Sequence, residues 1–230
     1  MTTNIETITI ATTDGTAMPV DVAAPATPGK GIIIVPSVFG NTDDVHRIMG
    51  TYADRGYLVM APDPFWRSIP GPMSRDEADV ATAKKRYAEF DVDLGVSDLG
   101  DAVKAMRAHD LCTGKVAVMG YCFGGRYAYL AGTRLGVDGA ISFHGTKIGL
   151  NLDEADKLAC PMTIHVGDSD TSIPMEEVNA TRAALAGNSA VEINVYPGCA
   201  HGFTGRGRPA YDAHADTTST NAALALLEAM

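Results

Sequence analysis

The stretch at residues 120–125, Gly-Tyr-Cys-Phe-Gly-Gly, lies between the apolar run KVAVMG and the helix-like run RYAYLAG, and it limits the folds open to this chain. A strand that turns at once into a helix brings backbone atoms close together. Gly120 and Gly124 remove Cβ atoms where they would collide. The residue at the apex, Cys122, would then stand exposed, with the first N–H groups and the positive dipole end of the following helix directed at its sulfur. A dinucleotide cradle would instead need G-x-G-x-x-G and an acidic residue about 20 positions on, and neither is present. A tight turn carrying an ordinary cysteine is the plainer alternative.

The rest of the chain supplies a setting for such a turn. GIIIVP (31–36), GYLVMAP (56–62), KVAVMG (115–120), GAISFHG (139–145), MTIHVG (162–167) and VEINVYP (191–197) read as strands. Their successive apolar residues suit parallel strands covered on both faces. ETITIAT and AMPVDVA flank Asp14-Gly15 and read as an antiparallel entry hairpin. Helices are expected near 42–55, 75–89, 93–109, 123–135, 175–186 and 211–229, the third with an apolar stripe of Leu94, Val96, Leu99, Ala102, Val103 and Met106. The proline-rich segment 63–74 reads as a loop near a pocket. Repeated strand–helix alternation predicts a predominantly parallel, doubly wound sheet flanked by helices, in one domain spanning 1–230. Such sheets bind ligands beyond the carboxyl ends of their strands.

The formal net charge of −10 argues against a nucleic-acid partner. No apolar run reaches membrane-spanning length, and MTTNIETITIATTDG lacks the pattern of a secretion signal, so a cytoplasmic location is expected. Cys112, Cys122, Cys160 and Cys199 form no CxxC pair, and the histidines show no metal-ligand spacing. Free thiols are expected, with Cys112 and Cys160 as small buried apolar residues.

Asp168 and Asp170 follow the MTIHVG run, and His201 follows VEINVYP in a glycine-rich segment. The order nucleophile, acid, base suits an α/β-hydrolase. His201 can take the thiol proton and later return one to a leaving oxygen, and Asp170, preferred over Asp168, can orient its ring. His144, at the end of GAISFHG, is a further candidate for contact with substrate; a satisfied strand-end histidine is the alternative.

Taken together, IIIVPSVFGNT, APDPFWR, AEFDVDLGVSDL, VMGYCFGGR, VGDSDTSIP, YPGCAHGF and RPAYDAHA resemble the dienelactone hydrolase (carboxymethylenebutenolidase) family over nearly the whole chain. The resemblance implies an α/β-hydrolase fold and hydrolysis of a small ester or lactone through a thioester, with no metal and no organic cofactor. It assigns Cys122, Asp170 and His201 as a triad, and the backbone N–H groups of Val38 and Phe123 as the oxyanion hole. Ser37, Phe39, Trp66, Tyr87, His144 and Arg206 are its candidate substrate contacts. A monomer or small homo-oligomer is expected.

Two departures from the family pattern bear on substrate. Ser37 stands where members acting on the dienelactone commonly carry a glutamate linked to thiol activation. Its absence favours a resting thiolate–imidazolium pair between Cys122 and His201. Val80 occupies the position of the family's first carboxylate-binding arginine, which leaves Arg206 and Arg208 as candidates. A general small-ester carboxylesterase, a noncatalytic binding module and a redox thiol protein using Cys122 and Cys199 are the competing functions.

Overall fold

In the computed structural model the Asp14-Gly15 turn closes the expected hairpin between β1 (Ile5–Ala11) and β2 (Ala17–Ala23). Gly15 sits at φ 82°, a left-handed conformation open to glycine at little cost. Ile10 pairs with Met18 and Ile8 with Val20. The structure describes residues 4–230, so the first three residues of the amino-terminal segment read above lie outside it.

The chain forms two compact units, Met1–Val116 and Ala117–Met230. In the first, β2 also pairs antiparallel with β4 (Leu58–Pro62), and β4 runs parallel to β3 (Gly29–Val35). The strand order there is β1-β2-β4-β3. Both β3 and β4 are buried through their apolar runs, as expected of strands covered on both faces. The unit's helices are α1 (Asp43–Ala53), α2 (Glu77–Ala88) and α3 (Val92–Ala108). Asp91 caps α3 by accepting from the Leu94 amide at 3.0 Å. The predicted stripe of α3 packs against β1, β3 and β4 through Val96, Leu99, Ala102, Val103 and Met106. Leu94 is the exception: it lies in the first turn at 40% exposure.

In the second unit β5 (Cys112–Tyr121, paired here through Ala117–Tyr121), β6 (Gly139–Phe143), β7 (Met162–Gly167) and β8 (Val191–Tyr196) run parallel in chain order. Each connection returns through helix, α4 (Phe123–Arg134) after β5, α5 (Met175–Ala184) after β7 and a 3₁₀ segment (Ile148–Lys157) after β6, and α6 (Ala213–Ala229) follows β8.

Neighbouring residues of a strand face opposite sides. A Cβ on Gly139 would meet Leu226 and Met230 of the carboxyl-terminal segment, while Ala140 lies beside Gly132 of α4. Helices therefore cover both faces of β6, which explains its uninterrupted apolar sequence. This is the predicted α/β architecture.

The 3₁₀ segment was not anticipated, because NLDEADK carries no clear apolar period. Its kink at Asn151 (φ −130°) is held by α4: Arg126 Nε donates to Asn151 Oδ1 at 2.8 Å and the Tyr129 hydroxyl to the Asn151 carbonyl at 3.2 Å. Cys160 is buried as expected, and burial pushes its thiol pKa up to about 11. Cys112 corrects its expectation, being only half-buried near the exposed start of β5.

Candidate active site

Cys122 is the single residue between β5 and α4, with φ 56° and ψ −113°. That conformation is rare for a residue with a side chain. The turn is held by main-chain bonds: Cys122 N–H donates to Phe143 O at 3.0 Å, while its carbonyl accepts from Gly125 N (3.0 Å) and Thr146 N (3.1 Å). The glycines meet the steric demand read from the sequence. A Cβ on Gly120 would overlap the Gly124 carbonyl, and one on Gly125 would overlap Gly145 and Ser142. Among the described residues, the three non-glycine residues with positive φ are Cys122, His144 and Lys147, all on the loops after β5 and β6.

Asp170 follows β7 and His201 follows β8. Asp170 Oδ2 lies 2.7 Å from His201 Nδ1. Its Oδ1 accepts from the amides of Ser172 (2.8 Å) and Ile173 (3.2 Å), so the carboxylate is aimed from behind by its own loop. Asp168 instead accepts from the Gly198 amide at 2.7 Å and serves the loop. With Nδ1 on Asp170, the ring's other nitrogen is left for Cys122, its second side-chain partner. Burial disfavours charge on His201, but the bonds to Asp170 and Cys122 outweigh it and raise the imidazole pKa to about 10. Such a ring is positively charged at neutral pH.

His144 stands edge-on to His201, with ring centroids 5.0 Å apart. Its Nε2 is 3.1 Å from Thr204 Oγ1, and its buried Nδ1 has no hydrogen-bond partner among the described residues. Burial, with the nearby charge of His201, holds its pKa well below the usual histidine range. Behind it, His165 is stacked on Phe143 and sits 3.0 Å from the Tyr196 hydroxyl; burial lowers its pKa to about 3. Neither His165 nor Thr204 stood out in the sequence, where each reads as an ordinary strand or loop residue. Cys199 is buried, and burial together with Asp212 and Asp168 raises its thiol pKa.

The second unit thus brings together Cys122, Asp170, His201 and His144. Arg206, expected to meet substrate, lies 3.3 Å through Nε from Asp216 Oδ2 with its side chain 61% exposed. The remaining candidates belong to the first unit. Ser37 Oγ accepts from the Phe39 amide at 3.3 Å, and the guanidinium of Arg75 covers the Phe39 ring at 4.0 Å. Trp66 Nε1 donates to Asp98 at 2.9 Å beneath Arg67. Tyr87 lies half-buried near the end of α2.

Among the described residues, no group of three or more His, Cys, Asp or Glu side chains is arranged to hold a metal, and no helix is long and apolar enough to cross a membrane.

The sequence profile of the Dienelactone hydrolase family matches residues 18–230. Carboxymethylenebutenolidase of Pseudomonas putida is 28% identical over 213 residues, covering 91% of this chain and 90% of that protein. A putative carboxymethylenebutenolidase of Salmonella typhimurium is 31% identical over 191 residues, covering 78% and 70%. Among solved structures, a putative dienelactone hydrolase from Klebsiella pneumoniae superposes with a TM-score of 0.87 at 26% identity, covering 98% of both chains.

Proposed function

The chain belongs to the dienelactone hydrolase family, and on that premise we propose that it hydrolyses a small lactone or ester through a thioester on Cys122. The observation that carries this reading is the hydrogen-bonded series Cys122–His201–Asp170, with the sulfur on a strained strand–helix turn.

The Cys122 thiol gives its proton to His201, its hydrogen-bond partner. The Cys122 Sγ then attacks the substrate carbonyl, and the electron pair moves onto oxygen. The Phe123 amide, which opens α4 directly after Cys122, is the donor to that oxyanion. Collapse of the tetrahedral adduct breaks the C–O bond, and His201 gives its proton to the departing oxygen. In a lactone this oxygen remains attached to the acyl group as a new hydroxyl. The now neutral His201 takes a proton from water, which attacks the thioester carbonyl and expels the thiolate. Asp170 keeps the ring in one orientation and stabilises its cation at both charged stages.

Substrates small enough to be decorated by few polar groups fit this reading best. The family's first arginine position holds Val80, and Arg206 is engaged with Asp216. Arg208, whose charge reaches His144 beside His201, is the remaining candidate to hold a substrate carboxylate.

The test compares kcat/KM for a carboxylated lactone, a neutral lactone and an aryl acetate, with mass spectrometry of the quenched enzyme. A substrate-dependent acyl adduct on the peptide containing Cys122, absent from Cys122→Ala, is expected. Turnover by folded Cys122→Ala at the wild-type rate would overturn the proposal.

A further inference from the structure

The loop after β6 touches both reactive arms of the second unit. Its main chain brackets the nucleophile: Phe143 O accepts from Cys122 N–H at 3.0 Å, and Thr146 N–H donates to Cys122 O at 3.1 Å. Between these two residues stands His144, whose ring meets the segment after β8 at three points. It packs edge-to-face with His201 and with Phe203, at centroid distances of 5.0 and 5.7 Å, and its Nε2 is hydrogen-bonded to Thr204 Oγ1 at 3.1 Å. One residue therefore links the turn that carries Cys122 to the loop that carries His201.

His144 is itself firmly set. Its N–H donates to His165 O at 2.7 Å, and its φ of 40° is a conformation that a residue with a side chain rarely takes. Such conformations persist only where the surroundings enforce them, and they gather at functional sites. The ring is buried, and Nδ1 has no hydrogen-bond partner among the described residues. A second proton would put an unpaired charged donor in the interior, so the ring stays neutral. It therefore adds no charge to compete with the His201 cation.

The base needs support of this kind. Asp170 holds His201 through Nδ1 alone, which leaves the ring able to swing about that bond. Gly202, the next residue, sits at φ 81° and gives the backbone no stiffness of its own. A displacement of about 1 Å at a reacting group can cost about 100-fold in rate.

We infer that His144 is a positioning residue for His201: anchored on Thr204 and packed on Phe203, it holds the base-bearing loop at a fixed distance from Cys122, a role that rests on His201 being the base as proposed above. The ring acts through His201 and needs no contact with substrate.

The test uses Thr204→Val, which keeps the shape and loses the hydroxyl, Thr204→Ser, which keeps the hydroxyl, and His144→Phe, which keeps a ring and loses both nitrogens. Each is measured for melting temperature and for kcat and KM on p-nitrophenyl acetate, and the Thr204→Val/His144→Phe double variant completes a cycle. Folded Thr204→Val should lose about 10- to 100-fold in kcat with KM little changed. Thr204→Ser should recover most of that loss. The double variant should lose no more than the worse of the two single variants, because both substitutions remove the same bond.

Wild-type kcat in folded Thr204→Val would overturn the inference, as would losses that multiply in the double variant, or a raised KM with kcat retained. If Thr204→Val does not fold, His144→Phe is judged by the same kcat and KM criteria. His201→Ala separates the two ideas. Wild-type turnover by folded His201→Ala would refute the base role itself. An inactive His201→Ala beside a fully active Thr204→Val would refute only the positioning by His144.

Discussion

Asp170 meets His201 with one carboxylate oxygen while the amides of Ser172 and Ile173 occupy the other, so its own loop fixes the direction in which the carboxylate faces the imidazole. Asp170→Asn preserves much of this shape but removes the negative charge that holds and balances the imidazolium. The variant is expected to fold and to lose about 10²- to 10⁴-fold in kcat, the range typical of acid–base assistance. Steady-state kinetics on an aryl acetate would check it. Wild-type turnover would rule out Asp170 as the orienting group.

The raised pKa of His201, about 10, means that the ring beside Cys122 stays cationic through neutral and mildly acidic pH. An ordinary thiol with a pKa of about 8.5 loses nearly two orders of magnitude of thiolate between pH 8 and pH 6. Alkylation of Cys122 by iodoacetamide should fall by no more than about threefold over that span if the pair exists at rest. His201→Ala should restore the steep profile. A steep profile in the wild type would overturn the resting ion pair.

His165 supplies a stability prediction with the opposite electrostatic sense. Its folded-state pKa is lowered by burial to about 3 from the ordinary histidine value of 6.5, so the native ring stays neutral where the unfolded one takes up a proton. Its contribution is present in full above pH 6.5 and is lost as pH falls from there towards 3. One proton changes stability by about 1.4 kcal/mol per pH unit within that window. His165→Phe, which keeps an aromatic ring against Phe143, should flatten the dependence by about one proton. Urea unfolding at a series of pH values measures the slope, and an unchanged slope would exclude His165 as its source.

Gly120→Ala tests the turn without touching any reactive group. The new methyl would overlap the Gly124 carbonyl, which belongs to backbone and has little room to retreat. Overpacking of this kind typically costs about 1–3 kcal/mol. The variant should melt earlier and lose esterase activity together. A wild-type melting temperature would mean that the strand–helix junction is looser than described.

Much of the candidate site's geometry was legible because its demands on the sequence are local. A strained apex needs glycines at fixed offsets, and a late acid and base need loops just after strands. Cys122, Asp170 and His201 meet these conditions without reference to distant residues. Arg86, buried in the last turn of α2 with its donors on the carbonyls of Val38, Ile69 and Gly71, did not announce itself. In Lys84-Lys85-Arg86 it reads as part of a solvated helix face, and the nearest clue is Ala83, three positions earlier and also buried. Its burial depends on carbonyls 15 to 48 residues away in the chain. Ser37 was legible as a departure from the family pattern, but its bond to the Phe39 amide depends on how the loop closes.

The backbone of Cys122 also bears on how stable this protein can be. At φ 56° and ψ −113° a side chain is an imposition that glycine would relieve, and such strain is worth about 1–3 kcal/mol. Cys122→Gly is therefore expected to be inert yet to melt at a higher temperature than the wild type. Selection for thermal robustness alone would tend to erase the thiol, so Cys122 marks a position where backbone stability has been given up.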